Sequence, residues 1–343
     1  MINRKDYIDV AKALGIIMVV WGHSEGIFSN YFYAFHMPLF FFLSGLLFKS
    51  EEKIFKTIRK KFKSLLVPFY VWNLLLVIPF WVLYYWKEWD IKVLFKYILT
   101  ILLTLDKVPM LGATWFLPAL FWTSIIFTTV YHLFKKDLIR NIFIFLGSLI
   151  FLIIGLNFTL PYRISRVFIC SFFYVLGYFY AKYLGKYAKE NVINNIIAVA
   201  CLVSFVILTN CNDIDLGSNR IQYPILFLIG ACAAIFFTLI ISKDIIVVFK
   251  KSFVTKHLLF LGRNTMPIVI WHFCFFRIAI LVQIVFANAP LNSITSFPTY
   301  DSSGFWWVLY LLTGLYGSIL WGLLIEKIKI KFLSIKSNKG ESK

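Results

Sequence analysis

Long apolar runs, separated by short polar and mostly basic segments, recur along nearly the whole chain. Runs of roughly 17–25 residues match the length a helix needs to cross the hydrocarbon core of a bilayer. On that pattern the chain divides into spans at 8–27, 31–48, 65–86, 114–134, 141–158, 165–184, 192–210, 222–242, 264–287 and 305–325. The stretch 91–105 is an ambiguous eleventh, short and carrying Lys92 and Lys96. The pattern predicts an all-α, polytopic integral membrane protein of about ten transmembrane helices. With no internal repeat, low-complexity tract or soluble domain, residues 1–343 read as one membrane-embedded domain, with a short basic tail from about 327.

Composition agrees. The chain is 60% hydrophobic and 15% charged, where a soluble domain is about half apolar and a quarter charged. Its net charge of +19 could suggest a nucleic-acid partner, but the cations gather in short clusters between spans, as in cytoplasmic loops. Ten spans with both termini cytoplasmic put 26 Lys and Arg inside and 7 outside, with Lys12 and Arg277 within spans. Letting 91–105 cross would turn over every later loop and destroy that bias. The segment is therefore expected to lie along or dip into the outer face. Trp81, Trp86, Trp89, Trp306 and Trp307 fall near the outer boundary, as belt aromatics do. The expected location is the inner (plasma) membrane, with lipids as neighbours and no nucleic acid. Arg4 and Lys5 before the first run resemble a signal peptide, but Asp6, Asp9 and Lys12 interrupt it and no cleavage site follows. The five cysteines lack metal or disulfide spacing and read as small packing residues.

Polar groups inside a bilayer are costly, which makes each one a candidate for function. All sixteen carboxylates fall in loops or at span ends, which disfavours a proton-coupled transporter. Lys12, His23, His36, His272 and Arg277 remain. His23 lies toward the outer end of the first span and His36 early in the second, so an antiparallel hairpin sets both imidazoles at similar depth. Lys12 precedes His23 by eleven residues, about three turns, so both share one helix face roughly 16 Å apart. Imidazole is the side chain here suited to take a proton at neutral pH. Each residue also has a plainer role: Lys12 can snorkel to the surface, and an interfacial His can be structural. The basic, amphipathic 49–64 segment has two readings, a helix on anionic headgroups or a docking surface for a phosphate-bearing substrate. Pro38, inside the second span, predicts a bend beside His36.

The run Asp9-Val10-Ala11-Lys12 through Trp21-Gly22-His23, followed by FHMPLFFFLSG (35–45), resembles membrane acyltransferase family 3, in particular its fucose 4-O-acetylase-related branch. Further matches are Lys63 to Tyr70 (KSLLVPFY), Thr114 to Leu120 (TWFLPAL), Phe173 to Gly177 (FYVLG) and Gly262 to His272. The resemblance implies ten core helices, an acyl-CoA donor (usually acetyl-CoA) reached from the cytoplasm, and an extracytoplasmic carbohydrate acceptor. No bound cofactor and no metal are expected. The family's Arg-or-Lys, ten residues, then His pattern falls on Lys12 and His23. Many members carry Arg before the L-L-x-P of the third span, where this chain has Ser64 after Lys63.

The reading that follows is an O-acetyltransferase acting on a surface polysaccharide or lipid-linked sugar, with His23 and His36 catalytic and His23 the base. Lys12, Lys60, Lys61 and Lys63 are expected to contact the donor. Trp115 and His272 are expected to line the cavity, with His272 deeper and less important. A covalent acyl-histidine relay is an alternative to the general base. The competing functions are a glycan or acyl-carrier flippase without chemistry, and a scaffold for a polysaccharide synthase.

Overall fold

The computed structural model describes residues 6–50, 53–85, 90–104, 107–184, 192–218 and 220–340. Trp86 and Trp89, and the charges Arg4, Lys5, Lys87, Lys186, Lys189 and Lys343, lie outside the described residues. In chain order come α1 (Asp6–His23), α2 (Ser29–Tyr33), α3 (His36–Leu46), α4 (Ile54–Lys61), α5 (Val67–Tyr85), α6 (Ile91–Thr104), α7 (Phe116–Leu133) and α8 (Asp137–Asn157). Next are α9 (Ile164–Phe179), α10 (Val192–Asn210) and a small antiparallel hairpin of β1 (Ile214–Asp215) and β2 (Arg220–Ile221). The chain ends with α11 (Pro224–Val248), α12 (Phe253–Arg263), α13 (Thr265–Phe286), α14 (Trp306–Leu312) and α15 (Ser318–Gly340). The protein is thus an all-α polytopic membrane protein. Among the described residues, seven helices are long and apolar enough to cross a bilayer.

The expected second span departs most from the pattern. Residues 31–48 hold the end of α2 and then α3, with the chain broken at Phe35 (φ −143°, ψ −14°). Eleven residues make α3 about 16 Å long, half of a bilayer's ~30 Å hydrocarbon core. All but Ser44 of those eleven are buried. A helix wrapped in protein on every side needs no polar face, which is why FHMPLFFFLSG reads as unbroken apolar sequence. Pro38 occupies the first turn of α3, where a missing N–H breaks no helical hydrogen bond, so it starts the helix instead of bending it.

Short as it is, α3 is fixed by backbone contact with α9. A methyl group at Gly45 would fall 1.9 Å from the carbonyl oxygen of Tyr174, and one at Gly177 would fall 1.9 Å from that of Phe42. The two glycines thus let the helices touch backbone to backbone, the close approach that small residues permit between membrane helices.

The basic segment is helical and joins the next span without a break. α4 runs through a π-helical turn at Phe62–Leu66 into α5, making one helix from Ile54 to Tyr85. At 32 residues this helix is about 48 Å long, so a part of it must project beyond the hydrocarbon core. α6 turns back along α5. The Tyr97 and Phe80 rings lie 5.0 Å apart, and Val108 N–H donates to buried Asn73 Oδ1 at 3.0 Å, twelve residues before Tyr85. Asn73 also donates to Phe69 O and Thr114 Oγ1, which secures the irregular 107–115 link inside the protein. Trp81 is buried, not a belt residue, and donates to Asp90 O, while Trp307 stacks on Trp21 at 5.0 Å.

Gly45→Ala or Gly177→Ala should each destabilise the protein by at least the ~1–3 kcal/mol typical of overpacking. Gly147→Ala, where nothing lies within 4 Å, should not. Thermal unfolding in detergent checks this: equal melting temperatures for all three would refute the backbone contact.

Candidate functional site

Three imidazoles converge from three helices. His23 ends α1, His36 opens α3 and His272 is the eighth residue of α13. The His23 ring lies 5.4 Å from that of His272, nearly parallel at 16°, and 6.1 Å from that of His36, edge-on at 78°. Phe273 completes the wall at 4.7 Å from His23 and 4.2 Å from His272. His36 and His272 are buried; His23 is part-exposed.

The backbone sets the tautomers. His36 Nδ1 meets the carbonyl oxygen of Phe32, and His272 Nδ1 meets that of Ile268 at 2.7 Å. A carbonyl only accepts, so each Nδ1 carries the proton and each Nε2 is left as a lone pair. His272 Nε2 is buried and unpartnered among the described residues. His23 Nδ1 instead meets the phenolic oxygen of Tyr33 at 2.8 Å, a partner that can donate or accept. Tyr33 also stands 5.5 Å from His36, ring to ring. Tyr33 and Phe273 belong to this site but were not singled out from sequence. The signal for Tyr33 was its place three residues before His36, at the start of the same hairpin arm.

His272 is accordingly level with His23, not below it. Lys12 lies elsewhere. Its ammonium pairs with Asp9 at 3.0 Å, and Asp9 and Asp6 also face Arg263 at 3.3 and 3.6 Å. Two carboxylates thus balance two cations where α1 meets α12, so Lys12 presents little net positive field. Lys60 and Lys63 are exposed and Lys61 is part-buried; their stretch packs on α7, where Phe62 meets Phe121 at 6.4 Å. Trp115 is buried beneath the β hairpin with the Arg166 guanidinium 5.4 Å from its ring, and it makes no ring contact with the imidazoles. Arg277, the other cation within a span, donates to Ser296 O and, at 3.0 Å, to Tyr84 Oη, tying the loop after α13 to α5. Among the described residues no group of His, Cys, Asp or Glu could hold a metal ion.

Beside the imidazoles, at the hairpin end of the bundle, opens a polar cavity of about 670 Å³ between α2 and the Thr209–Tyr223 segment. Tyr33 lines it. The model of a protein family described as an acyltransferase domain matches residues 5–327. The chain belongs to membrane acyltransferase family 3. Comparison with curated proteins and with solved structures found no match to either. In this acyltransferase, the histidines that the family's motifs point to are the ones the fold brings together.

His272→Ala should therefore cost as much as His36→Ala, about 100-fold or more in transfer rate, with membrane insertion unchanged. A His272→Ala protein that keeps most of its turnover would return His272 to the minor role expected from sequence.

Proposed function

We propose that the protein transfers an acyl group, most simply acetyl, from cytoplasmic acyl-CoA to a hydroxyl of an extracytoplasmic or lipid-linked carbohydrate. The observation that carries this is the convergence of three neutral-capable imidazoles, in a chain of acyltransferase family, beside a polar cavity. His23 is assigned as the base. It is the part-exposed ring, and an Nδ1–H donated to Tyr33 Oη leaves its Nε2 open. As the sugar oxygen attacks the thioester carbonyl carbon, Nε2 takes the hydroxyl proton. The C–S bond breaks, the C–O ester bond forms, and the proton passes to the departing thiolate. His36, edge-on to His23 at 6.1 Å, is assigned to position or stabilise the reacting acyl group. His272 stacks on His23 and Phe273 packs against it at a tilt, and together they keep water from its face. No resident cofactor enters the reaction; acyl-CoA is a donor substrate.

The donor's phosphates call for a cationic surface. The basic turn that carries Lys61, with Lys60 and Lys63 exposed on it, suits this by its accessibility and its cluster of cations. We assign the chain a ten-segment topology in the inner membrane, with α3 a helix that covers only half of the core, both termini in the cytoplasm and the β hairpin outside.

Purified protein given acetyl-CoA and de-esterified surface oligosaccharide should release one thiol per ester formed, and His23→Ala should lower that by about 10²–10⁴-fold. Near-normal turnover in well-folded His23→Ala would sink the base assignment, and glycan movement without thiol release would favour a flippase. Replacing Lys60, Lys61 and Lys63 with Gln should raise KM for acyl-CoA and leave the acceptor KM alone. A change only in abundance would make those lysines a topology signal. In intact cells, the native Cys211 should react with an impermeant thiol reagent and a Lys251→Cys variant should not; the reverse pattern would overturn the orientation.

A further inference from the structure

The cavity between α2 and the β hairpin has a chemistry of its own. Its walls include Tyr31, Tyr33, Asn210, Asp213, Asp215 and Gln222. Its volume of about 670 Å³ falls within the range of small-molecule sites, but the lining is dominated by hydrogen-bonding groups instead of apolar ones. Several of those groups are half used. Asn210 accepts from Tyr31 Oη at 2.6 Å through Oδ1, which leaves its NH₂. Gln222 accepts from Asp213 N at 3.3 Å through Oε1, which leaves its NH₂ as well. Tyrosine faces beside such donors suit a ligand with alternating hydroxyls and C–H faces.

Charge narrows the class. Two carboxylates, Asp213 and Asp215, line the cavity against one guanidinium, Arg220, which pairs with Asp213 at 3.1 Å. The Asp215 carboxylate accepts from Gly217 N at 2.8 Å and Ser218 Oγ at 2.6 Å, which holds it within the wall. A polyanion such as the phosphate end of acyl-CoA meets net negative charge here, whereas a neutral polyol does not.

Position completes the case. Tyr33 belongs to the cavity wall and also touches His23 Nδ1. A molecule in the cavity therefore abuts the side chain that orients the base. The geometry points to this cavity as the binding site for the saccharide acceptor, with Asn210 and Gln222 as hydrogen-bonding residues and Tyr33 as the positioning residue between acceptor and base. This rests on the acyl-transfer reading, which places the acceptor next to His23.

Cys211 supplies the test, because it is exposed, unpaired and part of the cavity wall. Modification of Cys211 by a bulky impermeant methanethiosulfonate is followed with and without alkali-treated oligosaccharide from the cell surface. Saccharide should slow labelling at least several-fold, whereas acetyl-CoA and a hydroxyl-bearing lysophospholipid should not. Labelled protein should lose transfer to the saccharide; Cys211→Ser should be insensitive, and reduction should restore transfer. Asn210→Ala and Gln222→Ala should each raise the acceptor KM roughly tenfold, the scale of one hydrogen bond, with kcat and the donor KM unchanged. Tyr33→Phe should lower kcat instead, and Tyr33→His, which restores a polar partner, should recover part of it. Protection by acetyl-CoA or by the lipid instead of saccharide would overturn the proposal, as would full transfer by stoichiometrically labelled protein. Protection needs no turnover, so an absence of thiol release from wild type would defeat the acyl-transfer reading while the occupant of the cavity is still decided.

Discussion

The backbone contact between α3 and α9 is the constraint on which the site depends. Helices in a bilayer gain little from hydrophobic burial against each other, since lipid is equally apolar, and must rely on close packing. A helix of eleven residues cannot anchor itself by spanning the core. What holds α3 is the reciprocal seat of Gly45 against Tyr174 and Gly177 against Phe42. Its buried aromatic residues extend the seat, with Phe41 against Phe116 at 5.3 Å and Phe42 against Tyr180 at 5.6 Å. Because α3 is pinned there, its first residue, His36, is held inside the protein instead of at the membrane surface.

From that anchoring follows the depth of the site. α1, at 18 residues, is about 27 Å long, a little under a bilayer's ~30 Å hydrocarbon core, and a tight turn joins it to α2 and α3. His23 and His36 are thereby brought level with His272, on a helix joined to them by no local sequence. The ion pairs at the opposite end of α1 complement this. Asp6, Asp9, Lys12 and Arg263 fasten α1 to α12, and α13 begins two residues after Arg263. Exposed pairs of this kind contribute little individually, but here they set the register of the helix that carries His23 against the one that carries His272.

Much of this was legible in the sequence, and what was missed has physical causes. Matched depth for His23 and His36 follows from any tight antiparallel hairpin, so the pair could be read without knowing where the hairpin lies. The length of α3 could not, because Tyr31 to Phe35 are as apolar as the helix they precede and carry no breaker. Pro38 pointed the wrong way: proline is compatible with a kink or with a first turn, and only the position of the preceding break separates the two. Lys12 was visible as a cation on the face of His23, but its partner Asp9 is shared with Arg263, 254 residues further along the chain. The run from Lys49 to Lys63 reads as an amphipathic helix, but its charge hides that this helix continues into the next span; Thr57, its one buried residue in α4, is a weak signal.

The polar cavity shows the same limit from the other side. Asn210 to Arg220 announces a polar loop by composition alone, and nothing local says which element it covers. The answer lies in single long-range contacts such as Tyr31 Oη to Asn210 Oδ1, across 179 residues. Within the loop, Asn212 bonds both N–H and C=O of Tyr223 at 2.9 Å, closing the base of the hairpin so that its walls stay apart. A membrane protein can keep such a water-compatible recess beside buried imidazoles only if the backbone around it is satisfied internally. Asn73 does this for the 107–115 link, and Asn212 does it for the hairpin. Neither touches the imidazoles, yet both are amides at positions where an apolar residue would leave backbone groups unpaired at the edge of the site.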